Sequence, residues 1–142
     1  MKADRRVIQG KMDIIDQNLQ FLQEARKTPY PAFEKSLRDI LAVKHALQEC
    51  IEASVDIGNH IIAAEGFRRA EDYRDIFTVI GENKLVSSGL QARLGEMAQF
   101  RNVLVHRYAE IQTRRLYDLL QRDIADIEEF VRVVLNYLKK KR

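Results

Sequence analysis

Apolar residues recur along this chain at spacings of three and four, with polar residues between them. Near the start they are Ile8, Met12, Ile15, Leu19 and Leu22. That is one face of an amphipathic helix, expected from about Asp4 to Arg26. Thr28-Pro29-Tyr30-Pro31 breaks it, because proline donates no N–H and biases the residue before it away from helix. A longer stripe follows: Leu37, Ile40, Leu47, Ile51, Val55, Gly58 and Ile62. It predicts a helix from Ala32 or Phe33 to Ala64, ended by Gly66. A short helix is expected from Asp72 to Ile80, closed by Gly81. Ser87 or Ser88 can cap the next helix. Its stripe is Leu90, Leu94, Met97, Leu104 and Tyr108, and it should end near Ala109. Thr113 is the expected cap of the last helix, which runs to about Lys139 on Leu116, Leu120, Ile124, Ile127, Val131, Val134 and Leu138.

No segment alternates as a strand would. The expected fold class is therefore all-α: an antiparallel up-and-down four-helix bundle with one extra short helix, its neighbours joined by short connections. At 142 residues, with no repeat, linker or low-complexity tract, residues 1–142 read as a single domain.

Composition narrows the functional classes. Basic residues exceed acidic ones by three, 24 against 21, which permits nucleic-acid contact without demanding it. Part of the excess lies in Lys139-Lys140-Lys141-Arg142, a run suited equally to a solvated helix end and to RNA. Arg68, Arg69 and Arg74 add positive charge near the short helix, either as an RNA path or as ordinary helix-end arginines. The single Cys50 excludes an internal disulfide and sits in an apolar pattern that makes it a core thiol. No stretch is long and uncharged enough to span a membrane, and no signal-type run opens the chain, so a cytoplasmic protein is expected. Glycine-rich phosphate loops and serine nucleophile signatures are absent, so any nucleotidyl transfer must come from a partner enzyme. His45 and His60 do not make the i, i+4 pair of helical zinc sites, and neither metal nor cofactor is expected.

The chemistry concentrates in Phe100-Arg101-Asn102-Val103-Leu104-Val105-His106-Arg107-Tyr108. At about 100° per residue, Arg101 falls inside the apolar stripe of its own helix. A guanidinium there is costly unless paired. The second long helix offers partners: His45, Glu52, Asp56 and Asn59 share one flank of it, and Glu52 and Asp56 are the candidates to hold Arg101. Arginine supplies a permanent fork for phosphate, histidine moves protons near neutral pH, and a tyrosine hydroxyl can bind phosphate or be modified. From pattern alone, a structural ion pair, a solvated histidine and a core tyrosine fit as well. Tyr30, in the proline break, reads as a packing residue, with a ligand contact as the alternative.

The run Arg101-Asn102-(three residues)-His106-Arg107-Tyr108 resembles the R-x4-H-x-Y signature of HEPN-domain proteins, specifically the HepT-like toxins of HepT–MntA toxin–antitoxin pairs. The similarity covers most of the chain. It implies a metal-independent endoribonuclease acting on RNA, with Arg101 and His106 catalytic and Asn102 and Asp56 supporting. It also implies that Tyr108 accepts adenylyl groups from an MntA-like nucleotidyltransferase antitoxin. A homodimer follows as an expectation, since the motif helix carries features on opposite sides. The competing reading is a noncatalytic helical partner subunit of a nucleotidyltransferase.

Overall fold

The structure is a computed structural model that describes residues 3–105 and 112–141. Among the described residues it is all-helical: α1 (Arg5–Ala25), α2 (Tyr30–Glu34), α3 (Leu37–Glu65), α4 (Tyr73–Glu82), α5 (Ser88–Val105) and α6 (Thr113–Lys140). The four long helices are those predicted. All five expected α1 residues are buried, and Leu116, Leu120, Ile124, Ile127, Val134 and Leu138 of α6 are buried with Phe130 and Tyr137. Side-chain contacts fix the directions. Lys11 meets Asp56 and Cys50 meets the Ile15 carbonyl, so α1 and α3 are antiparallel. Arg26 meets Gln121, while Arg5 donates to the Leu138 carbonyl, so α1 and α6 are antiparallel as well. Arg93 meets Asp126 and Arg115 lies over Phe100, which sets α5 against α6 in the same sense. Buried side chains of all six helices form one cluster.

Several local expectations are corrected. The proline break holds a second short helix, α2, with Pro29 as its N-cap, and α3 starts only at Leu37 behind Ser36. The Ser36 hydroxyl accepts the Asp39 N–H at 3.1 Å, a cap that the apolar periodicity does not reveal. Leu37 is consequently 68% exposed instead of buried. Gly81 lies inside α4, whose N-cap is Asp72, accepting the Asp75 N–H at 2.7 Å. Ser87, not Ser88, caps α5 through its hydroxyl. Thr113 opens α6 behind Gln112, which makes no side-chain cap bond.

Two glycines do specific work. Gly66 ends α3 at φ +68°, a left-handed turn in which the Phe67 N–H returns to the Ile62 carbonyl at 3.1 Å. Gly58 lets α4 approach α3: a Cβ there would lie 2.6 Å from Ile76 Cγ2. Cys50 is fully buried, and burial pushes its thiol up to about 12, so it is a core residue and no nucleophile. Tyr30 packs edge-on to Tyr117 with ring centres 5.2 Å apart, under the Arg114 guanidinium, in keeping with a packing role.

Candidate active site

Arg101 sits in the last described turn of α5, where Phe100 and Leu104 are buried beside it. Its Nε donates to Glu52 Oε1 of α3 at 2.9 Å, and both side chains are about one-third exposed or less, at 28% and 33%. The Gln48 amide donates to the same carboxylate oxygen at 3.3 Å. On another side the Arg101 guanidinium lies 5.4 Å from the ring centre of Tyr73, at the start of α4. A carboxylate and an aromatic face thus hold the arginine from two elements, which answers the cost of placing it on an apolar stripe. Among the described residues the terminal nitrogens of Arg101 carry no hydrogen bond. They are the prongs of the fork that matches a phosphate.

Of the two carboxylates expected to hold Arg101, only Glu52 does so. Asp56 binds Lys11 Nζ of α1 at 2.9 Å. The reason is helical phase. One turn of four residues rotates the side chain by about 40°, enough to swing it from the α5 side of α3 to the α1 side. The two histidines of α3 face other partners. His45 is exposed and 3.6 Å from Glu49. His60 Nε2 accepts the Asp4 backbone N–H at 2.9 Å, so it is tied to the start of α1 instead of being merely solvated.

Asn102 is exposed on the neighbouring flank of α5. It borders a hollow of about 370 Å³ between α4 and α5, together with Asp72, Tyr73, Arg74, Ala98 and Gln99. Within it Arg74 Nη1 donates to Gln99 Oε1 at 2.8 Å. Arg68 does not face RNA freely: its guanidinium is bidentate to Asp75 at 2.8 and 2.9 Å and also binds both oxygens of Glu82. The hydrogen bonds from Arg68, and then the Glu71 N–H, hold the Asp75 carboxyl down to about 2. This clip joins the turn after α3 to both ends of α4, and so supports the helix that carries Tyr73. Around α5 on its other side lies a hollow of about 310 Å³ against α6, where Asp123 and Arg122 lie near Phe100 and Arg115.

His106 and Tyr108 lie outside the described residues. The sequence places them five and seven residues past Arg101, beyond the end of described α5. Sequence reasoning did not single out Tyr73. Its one signal was a tyrosine directly after an N-cap aspartate, and its proximity to Arg101 depends on how the α4–α5 hairpin folds back.

A helical bundle that seats a paired arginine near the end of α5, at the head of an R-x4-H-x-Y run, is a HEPN-type domain. Residues 15–134 match the family described as Ribonuclease HepT-like, and the chain belongs to that family. It is similar to the mRNA nuclease HepT of Shewanella oneidensis, 34% identical over 88 residues that make up 62% of this chain and 66% of that protein. The matched stretch therefore spans just under two thirds of that relative. It is also similar to the tRNA nuclease HepT of Aphanizomenon flos-aquae, 20% identical over 132 residues, 93% of this chain and 90% of that protein. Among solved structures, the tri-AMPylated Shewanella oneidensis HEPN toxin in complex with MNT antitoxin superimposes with a TM-score of 0.86 at 27% identity, covering 94% of this chain and 99% of that one.

Proposed function

We propose that this chain is the toxin of a toxin–antitoxin pair, an endoribonuclease that is silenced by adenylylation. The observation that carries the reading is the seating of Arg101. Glu52 fixes its Nε and Tyr73 flanks it, while among the described residues the terminal nitrogens carry no hydrogen bond. In the reaction, an RNA 2′-hydroxyl loses its proton and attacks the adjacent phosphorus. The bond to the 5′-oxygen breaks, and that oxygen takes up a proton, leaving a cyclic phosphate and a new 5′-hydroxyl. His106 transfers protons. Arg101 holds the phosphate and stabilises its growing charge. Asn102 orients the histidine or a phosphate oxygen. No step calls for a metal.

The partner is an MntA-like nucleotidyltransferase, and Tyr108 is the acceptor of its adenylyl groups. Bulk and added phosphate two residues past His106 would compete with RNA for the Arg101 guanidinium. The protein works in the cytoplasm as a homodimer, in which a second His106 supplies the other proton transfer. No described helix is long and apolar enough to cross a membrane.

The test is cleavage of cellular RNA by the purified chain, read by sequencing the new ends. Parent protein should cut; His106→Ala should not, while keeping the helical spectrum and melting temperature of the parent. Cleavage by His106→Ala at the parent rate would remove His106 from the reaction. Light scattering at micromolar concentration should give a dimer, and a strict monomer that still cuts RNA would refute the composite site.

A further inference from the structure

The hollow beside Asn102 has the makings of a second recognition element. Three features distinguish it from an ordinary groove between helices. Tyr73 lines it and is 37% exposed. Ala98, small and fully buried, is among its lining residues, so no bulky α5 side chain arises at that position. The rim carries two neutral amides, Gln99 and Asn102 on α5, beside the charged Arg74, which donates to Gln99. Asp72 lines the hollow too, and one of its carboxylate oxygens accepts the Asp75 N–H as the α4 cap.

These are the parts of a nucleobase site. Single-stranded RNA is read by stacking unpaired bases on aromatic rings and by hydrogen bonds to their edges. Gln99 gives its carbonyl oxygen to Arg74 at 2.8 Å, which leaves its NH2 group to donate elsewhere. Asn102 is exposed at the edge of the hollow. The hollow, at about 370 Å³, lies within the range of small-ligand sites. Its position is decisive: the Tyr73 ring that faces it also meets the Arg101 guanidinium, 5.4 Å from the ring centre. A base on Tyr73 would therefore place its own flanking phosphate toward Arg101.

We propose that the α4–α5 hollow binds the base of a nucleotide adjoining the cleaved bond, with Tyr73 as the stacking platform and the Gln99 amide reading the base edge. The inference rests on the ribonuclease reading above and gives it a substrate determinant outside the R-x4-H-x-Y motif. The substrate class is single-stranded RNA with a base preference at one position beside the cut. Duplex RNA, whose bases are stacked on each other, would be a poor substrate.

The experiment uses the full chain, a single-stranded RNA library randomised around the cut, and a fluorescent 2′-O-methyl oligonucleotide that cannot be cleaved. Tyr73→Ala should raise KM, and weaken anisotropy-detected binding, by on the order of tenfold, the scale of one lost base stack. It should also flatten base preference at one position next to the cut. Tyr73→Phe keeps the ring and should match the parent, which guards against misfolding as the cause. Gln99→Ala should change which base is preferred. If Tyr73→Ala binds and selects as the parent does, the subsite is refuted while cleavage stands. If it lowers kcat alone with preference intact, Tyr73 only steadies Arg101, and the subsite is refuted too. If the parent binds the oligonucleotide through Tyr73 but cuts nothing, the subsite stands and the ribonuclease reading falls. If it neither binds nor cuts, both fall.

Discussion

Arg101 and Glu52, 49 residues apart in sequence, meet at 2.9 Å across the α5–α3 contact. This pairing answers the cost of an arginine on an apolar stripe and fixes its orientation, as the phosphate-holding role proposed for it requires. Its worth lies in orientation more than in stability. A partly exposed pair contributes about 0.2–1 kcal/mol, whereas a misplaced catalytic group can cost on the order of 100-fold in rate. Glu52→Ala should therefore lower kcat by about 10–100-fold and leave the melting temperature within a few degrees of the parent. Arg101→Lys should lose activity more completely, because lysine lacks the fork. Steady-state kinetics beside thermal melts separate the two effects. A Glu52→Ala protein with parental kcat would show that the pair is only structural.

The control proposed at Tyr108 has a clean readout. Incubation with the partner nucleotidyltransferase and ATP should add mass in steps of one adenylyl unit, and Tyr108→Phe should show no gain. A gain that persists in Tyr108→Phe places the modification elsewhere. No gain in the parent means neutralisation by binding alone.

The α3–α4 approach is set by Gly58. Gly58→Ala would drive a methyl to 2.6 Å from Ile76 Cγ2 and 3.1 Å from Ile80 Cδ1. Overpacking of this kind costs roughly 1–3 kcal/mol. It should also disturb α4, and with it Tyr73. Gly10→Ala is the contrasting case: nothing lies within 4 Å of that Cβ, and the exposed helix should gain roughly 0.5–1 kcal/mol. Denaturant titrations should move in opposite directions for the two variants.

Two aspartates give stability opposite dependences on pH. Burial raises Asp123 from 3.8 to about 6, with the Asp126 and Glu96 carboxylates adding to the rise and Arg122 opposing it. Its folded value exceeds its unfolded one, so its contribution is fully present below about 3.8 and is lost as pH rises through 6. Asp75 is the reverse: held down to about 2, chiefly by Arg68, it contributes above 3.8 and fades as pH falls toward 2. Melting temperature should therefore gain from Asp123 between pH 7 and 5, and lose the Asp75 clip below 4. Asp123→Asn should melt a few degrees higher than the parent at pH 8 and show a flatter profile between pH 5 and 7. Asp75→Asn should melt lower at pH 7, with the deficit shrinking toward pH 2. Melts from pH 2 to 8 test both, and an Asp123→Asn profile parallel to the parent's would count against the raised carboxyl.

The sequence by itself determined what depends on local repetition. The period of the apolar residues determined four long helices and most of their buried faces, since a helix segregates its side chains by phase alone. It placed Arg101 on an apolar stripe and so demanded a partner for it. The R-x4-H-x-Y run, contiguous on one segment, was legible in the same way and pointed to the family. What lay beyond the sequence was decided between helices. Glu52 and Asp56 stand four residues apart on one flank, and only the docking of α1 and α5 on different sides of α3 gives the first to Arg101 and the second to Lys11. Tyr73 entered the site because α4 folds back along α5, a relationship with no period in sequence. Helix starts at Ser36 and Gln112 escaped the pattern for a simpler reason: a helix boundary is set by caps and chain direction over a few residues, where apolar periodicity carries no signal.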